Sequence, residues 1–350
     1  MSTRATDSNY EYVTARVRSR RANLFDEEDY QQLVRMEPSG IARFMEESQY
    51  EEEMNALGSR HSGVDLVEHA LARNLAKDFE DLLRWASGPL YDDIARYLRK
   101  FDAWNIKTIL RGIYADTGRE SVENDLVRTG EFDEDRRDRL LEADSIEGVV
   151  EGLSDTVFGP PLESALDEYE STGTLVPLEN AIDRAYYEEL LAVRPGESNA
   201  RRLYVKFLEA EIDFRNARNA LRLARSGADT DPATYFIDGG RLFDESDLAG
   251  IADNPDELAA RLADSRYGDE LDAALDALDD AESLTGFERA LDAALAEYAH
   301  QLANWYPLSV CPVFAYVLAK EREVDNVRAI ARGRAAGLDP ETIEEDLVLR

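Results

Sequence analysis

A short stretch occurs three times in this chain, and no other feature so restricts what the chain can fold into. The copies are FDAWNIKTILR at 101–111, EIDFRNARNALR at 211–222 and EVDNVRAIAR at 323–332. Counting from the shared asparagine (Asn105, Asn216, Asn326), each has an acid three residues earlier: Asp102, Asp213 or Glu323. A cation follows at +2 (Lys107, Arg218, Arg328) and an arginine at +6 (Arg111, Arg222, Arg332). Positions +1, +4 and +5 are apolar in all three copies. The asparagines lie 111 and 110 residues apart, so one chain holds three copies of one unit, and such a repeat decides the architecture.

A second landmark keeps the same period. Phe-Asp-Glu occurs at 25–27, 132–134 and 243–245, and Phe132 and Phe243 each lie 27 residues after their asparagine. The same step from Asn326 runs past Arg350, whereas Phe25 has no asparagine before it. SVENDLV at 121–127 likewise matches TIEEDLV at 342–348. These offsets predict three pseudo-threefold-related units of about 110 residues, one of them split between the two ends of the chain. Proline-bearing breaks give the boundaries: residues 1–88 as the N-terminal part of the split unit, 89–194 and 195–306 as complete units, and 307–350 as the C-terminal part.

Apolar residues recur at three and four throughout, and alternation of strand type is nearly absent, so the expected fold class is all-α. Residues 10–21 (YEYVTARVRSRR) suit a short helix or an extended arm equally. The repeated stretches predict helices over 90–115, 198–225 and from about Pro312 to Gly337. Proline precedes each and glycine follows it (Gly118, Gly227, Gly337). Ser121 is expected as a helix N-cap, and Thr342 as the start of a capping box. On a helical wheel the apolar positions +1, +4 and +5 form one stripe at about 100°, 40° and 140°. The acid at about 60° lies inside that stripe and needs a hydrogen-bond partner, while the cations at about 200° and 240° face the other way. Either those cations tie down acids of neighbouring helices, or they point into a shared central space suited to an acidic helical partner.

The net charge is −34, and only five of the forty cations are lysine. This is the composition of a halophilic cytosolic surface, since molar salt screens self-repulsion within about 3 Å. It excludes nucleic acid as a partner, which requires a basic footprint. The lone Cys311 allows no disulfide and is expected to be a small packed residue. The longest apolar run, 308–319, is far short of the roughly 20 residues a membrane span requires. No nucleotide-binding motif occurs, and no catalytic, cofactor-binding or metal-ligating set is expected. The histidines His61, His69 and His300 have no i,i+4 pairing, which argues against zinc.

The segments YEYVTARVR (10–18), FDAWNIKTILRG (101–112) and KEREVDNVRAIARGRAAGLDPETIEEDLV (320–348) together resemble the C subunits of archaeal, and in composition haloarchaeal, A-type ATP synthases, relatives of the vacuolar-type ATPase d subunits. The resemblance spans the whole chain. It implies a funnel of helices without catalysis or cofactor, peripheral on the cytoplasmic side of the cell membrane. Its implied partners are the membrane rotor ring (proteolipid) subunits and the central-stalk subunits, with torque transmission for ion-gradient-driven ATP synthesis as its work. The resemblance assigns no individual contact residues; the repeated asparagine and cation sets, Asn105, Lys107, Arg111, Asn216, Arg218, Arg222, Asn326, Arg328 and Arg332, are expected to line the stalk socket. The competing expectation is a helical adaptor that binds a soluble partner.

Overall fold

The computed structural model describes residues 7–192, 199–226, 232–253, 256–267, 271–279, 284–345 and 347–348. Among them every regular element is helical and none is a strand. The chain divides into two compact units, Met1–Ile94 with Ala299–Arg350, and Ala95–Tyr298. The first unit therefore contains both ends of the sequence.

The chain opens with α1 (Tyr10–Arg21), α2 (Glu27–Leu33), α3 (Pro38–Glu46), α4 (Glu51–Leu57) and α5 (Gly63–Trp85). Next come α6 (Pro89–Leu98), α7 (Lys100–Tyr114), α8 (Arg119–Asn124), α9 (Glu134–Leu141), α10 (Ile146–Gly152), α11 (Gly159–Thr172) and α12 (Val176–Leu191). The remainder is α13 (Asn199–Ser226), α14 (Pro232–Tyr235), α15 (Glu245–Asp253), α16 (Asp256–Ala263), α17 (Asp272–Asp279), α18 (Leu284–Trp305), α19 (Cys311–Ala335) and α20 (Pro340–Glu344). Residues 10–21, undecided in sequence, are thus a helix, and it buries Val13, Thr14 and Val17.

The repeated stretches lie on α7, α13 and α19. The single helix expected over 90–115 is interrupted at Arg99, whose N–H donates to the Arg96 carbonyl at the tighter three-residue spacing. α19 buries Cys311 through Val317 without a gap, and it packs chiefly on α5 and α1. That run is apolar because it is enclosed on all sides by protein. No described helix is long and apolar enough to cross a membrane.

The second landmark is a helix start. Asp26, Asp133 and Asp244 of the three Phe-Asp-Glu triplets each accept the N–H three residues on, at the first turns of α2, α9 and α15. Asp26 and Asp244 complete the reciprocal bond with Asp29 and Asp247. Phe132 and Phe243 are buried just before their caps.

Three punctuation signals fall elsewhere than expected. Gly118 does not end α7: Asp116 takes the left-handed position (φ 52°), and Gly118 is the N-cap of α8. The Thr117 N–H bonds the Gly112 carbonyl there, as Leu338 bonds Gly333 after α19, where Gly337 (φ 76°) is the left-handed residue. Ser121 lies inside α8 rather than capping it. Thr342 lies inside α20, because Pro340, with its fixed φ, takes the first helical position and moves the N-cap to Asp339. Gly227 and the break at 194–196 lie outside the described residues.

Candidate functional site

The repeated asparagine has the same work in all three copies. Asn105 Nδ2 donates to the Val127 carbonyl at 2.8 Å, and its Oδ1 accepts the Val127 N–H at 2.8 Å. Asn216 holds Ile237 in the same two-way grip, at 2.8 and 2.9 Å. Asn326 does so with Val348, at 3.1 and 3.0 Å. One side chain thereby supplies both partners for a backbone unit, as a neighbouring strand would, and satisfies groups that burial would otherwise penalise. The three asparagines are buried.

The acid inside the apolar stripe grips the segment just ahead of the second landmark. Asp102 accepts the N–H groups of Glu131 (2.7 Å) and Phe132 (3.1 Å). Asp213 accepts those of Arg241 (2.6 Å) and Leu242 (2.8 Å), and also the Tyr267 hydroxyl. Glu323 accepts the Phe25 N–H at 2.5 Å, Gln49 Nε2 at 2.7 Å and the Tyr50 hydroxyl at 2.6 Å. The buried Lys320 ammonium lies 3.0 Å from the same carboxylate. Residue 323 is at one end of the sequence and Phe25 at the other, so this bond joins the two termini within the first unit. Burial pushes the Asp102 carboxyl up to about 7, against the pull of its two N–H donors. Asp213 is also raised by burial, opposed by the Tyr267 hydroxyl and its backbone donors.

The cations at +2 and +6 face a second helix in each case. On α12, Glu179 takes Arg111 Nε at 2.6 Å and Asp183 takes Lys107 Nζ at 2.6 Å. On α18, Glu288 takes Arg222 Nε at 2.5 Å and Asp292 pairs with Arg218. On α5, Glu68 pairs with Arg332. One turn further on, where the other copies have aspartate, α5 has Ala72, and Arg328 pairs with its own helix's Asp325 at 3.1 Å instead. The Lys107 ammonium is drawn down by burial although Asp183 pulls it the other way. Burial would raise Asp183, but Lys107 and the Arg215 of α13 outweigh it and hold it below its usual value.

The structure separates the nine singled-out residues into two groups. Asn105, Asn216 and Asn326 serve the body of the protein, with their side chains turned to backbone. Arg111, Arg222 and Arg332 stay half-exposed, at 52, 45 and 51% of their side-chain surface, with Lys107, Arg218 and Arg328 more enclosed. Sequence reasoning missed the glutamates 68, 179 and 288. Their own spacing of 111 and 109 residues was the available signal. It also missed a meeting of two of the three histidines, His61 and His69, on Asp65.

Three helices carry one pattern of polar grips, each on a downstream backbone segment and a neighbouring helix. The chain belongs to the ATP synthase (C/AC39) subunit family, whose sequence pattern matches residues 13–346. It is 64% identical to the A-type ATP synthase C subunit of Haloferax volcanii, covering 98% of both chains. Identity to that of Halobacterium salinarum is 55%, again over 98% of both. To that of Methanosarcina mazei it is 33%, over 98% of this chain and 93% of the other. The protein is therefore an ATP synthase subunit that associates with other subunits of a membrane-associated complex, and the more similar of these relatives come from halophilic archaea.

Proposed function

We propose that this subunit is a non-catalytic coupling element of an A-type ATP synthase, placed between the membrane rotor ring and the central stalk on the cytoplasmic side. The observation that carries the reading is the threefold recurrence of one interlock: asparagine to a downstream backbone unit, acid to the backbone at a Phe-Asp-Glu helix start, arginine to a glutamate. A torque adaptor must be stiff. Polar grips of this kind fix helices against sliding in a way that apolar contact alone, being non-directional, does not.

In this proposal three units of about 110 residues, bounded at 88/89, 194/195 and 306/307, form a pseudo-threefold funnel around the stalk end. The half-exposed Arg111, Arg222 and Arg332 face an acidic helical partner, and Lys107, Arg218 and Arg328 brace them. The asparagines of the same stretches hold the wall together from behind. The test is recovery of tagged protein from detergent-solubilised source membranes in molar KCl, with partners identified by mass spectrometry. Co-recovery of ring and stalk subunits is expected. Recovery of a soluble partner alone, with the ring absent, would sink the coupling role. The triple variant R111Q/R222Q/R332Q should lose the central-stalk subunits while retaining the ring.

A further inference from the structure

We infer that His61, Asp65 and His69 form a binding site for a divalent transition-metal ion, zinc or one of its neighbours, at the start of α5. His61 lies just ahead of the helix, beyond the N-cap Ser62 and Gly63 (φ 60°), with Asp65 in the first turn and His69 one turn later. The spacing is i, i+4, i+8 with the carboxylate in the middle, so a search for histidines four apart passes over it. His61 is off the helix, and the turn at Ser62 and Gly63 folds its ring back over the first turn beside that of His69, the centroids lying 4.1 Å apart. Nδ1 of His61 is 2.5 Å from one carboxylate oxygen, and Nε2 of His69 is 3.4 Å from the other. One donor atom from each residue falls within 4.8 Å of the others.

Zinc bonds of roughly 2.0–2.2 Å in tetrahedral array put ligand atoms about 3.3 Å apart. The two ring nitrogens stand 3.4 and 2.5 Å from the two different Asp65 oxygens, either side of that value, and the His61 ring, on the residue before the cap, can turn so that both nitrogens and one oxygen share an ion. Two imidazoles and one carboxylate are a ligand set for Zn(II), Co(II), Ni(II) or Cu(II), and nitrogen donors disfavour the hard cations Mg(II) and Ca(II). All three groups reach solvent, the side chains being 27, 58 and 29% exposed, so an ion can enter and water can complete its shell.

Imidazole is the scarce ligand in this chain, which has three histidines against 74 carboxylates. Two of those three meeting on one aspartate is what distinguishes this cluster from the surrounding acidic surface. A bound ion would tie the entry of α5 to its second turn. Glu68, which pairs with Arg332 of α19, lies beside His69 on that turn, so metal would fix the place from which this rung emerges.

The test is titration of the full chain with zinc chloride in molar KCl against a chromophoric chelator, with Cu(II) electron paramagnetic resonance as a second reading. One zinc equivalent should bind ahead of the carboxylate background. H61A/H69A should weaken that equivalent by roughly 100-fold or more, beyond what the loss of an outer-shell partner costs. Wild-type Cu(II) spectra should show nitrogen ligation. Equal zinc affinity in wild type and H61A/H69A, or wild-type Cu(II) spectra with oxygen ligands alone, would overturn the site. Ligation by two nitrogens keeps the site testable even where the double variant folds poorly, since the remaining histidine, His300, would supply only one.

Discussion

A single carboxamide, repeated three times, bears more of this structure than its size suggests. Asn216 supplies both partners of a buried peptide unit at Ile237. Asn216→Ala leaves a buried N–H and a buried C=O unmatched, at about 1–3 kcal/mol each, so a loss of about 3 kcal/mol is expected in urea unfolding at fixed molar KCl. Asn216→Asp should cost nearly as much, since the carboxylate accepts the N–H but repels the carbonyl. Asp102 leads to a different prediction. Its folded carboxyl, pushed up to about 7, lies above the ordinary 3.8. Between those values the folded protein holds the proton more tightly than the unfolded chain, so this group's contribution to stability is present at low pH and falls as pH rises from about 4 to 7. Carboxyl-carbon NMR should give a midpoint near 7 for Asp102, and a midpoint in the ordinary carboxylate range would refute the burial argument.

At the scale of elements, the asparagine and the acid work only because short loops return to them. Gly130 has φ 120°, and a Cβ there would run into the Asp102 carboxylate. Gly173 also has positive φ (67°), but a Cβ there meets nothing within 4 Å. Gly130→Ala should therefore cost about 3 kcal/mol, the close approach adding to a φ that L residues rarely adopt, and Gly173→Ala, left-handed but with open space, about 1. Melting curves of the two variants check this. Much of this level was legible in the sequence: the all-helical class, the landmark helices, and a carboxylate within an apolar stripe that had to find a partner. The role of the asparagine was not, although at 0° it stands only about 40° from the +4 apolar position and so belongs to the buried face with the acid. Its partner is a backbone unit, which carries no residue identity and leaves no pattern to read. The interruption at Arg99 also had no signal, there being neither proline nor glycine at that point.

Across the whole molecule, cations are outnumbered by the 74 acidic residues, and the net charge of −34 remains to repel itself. The two kinds of electrostatics respond differently to salt. Enclosed pairs such as Lys107–Asp183 are shielded from ions by the protein, whereas repulsion among exposed carboxylates has the full range of the Debye length, about 10 Å at 0.1 M and about 3 Å at 1 M. Raising KCl should remove most of the repulsion and little of the attraction, so the net effect is stabilising. For a chain this large a gain of several kcal/mol corresponds to roughly 10 °C in Tm. Thermal unfolding between about 0.1 and 2 M KCl should therefore shift upward by that order, with most of the rise complete near 1 M, where the Debye length is already shorter than the spacing of neighbouring surface charges. A Tm that fell with salt would mean that exposed ion pairs, such as Arg136–Asp155 at 2.7 Å, outweigh the repulsion, and that the acidic surface is not what sets the stability of this subunit.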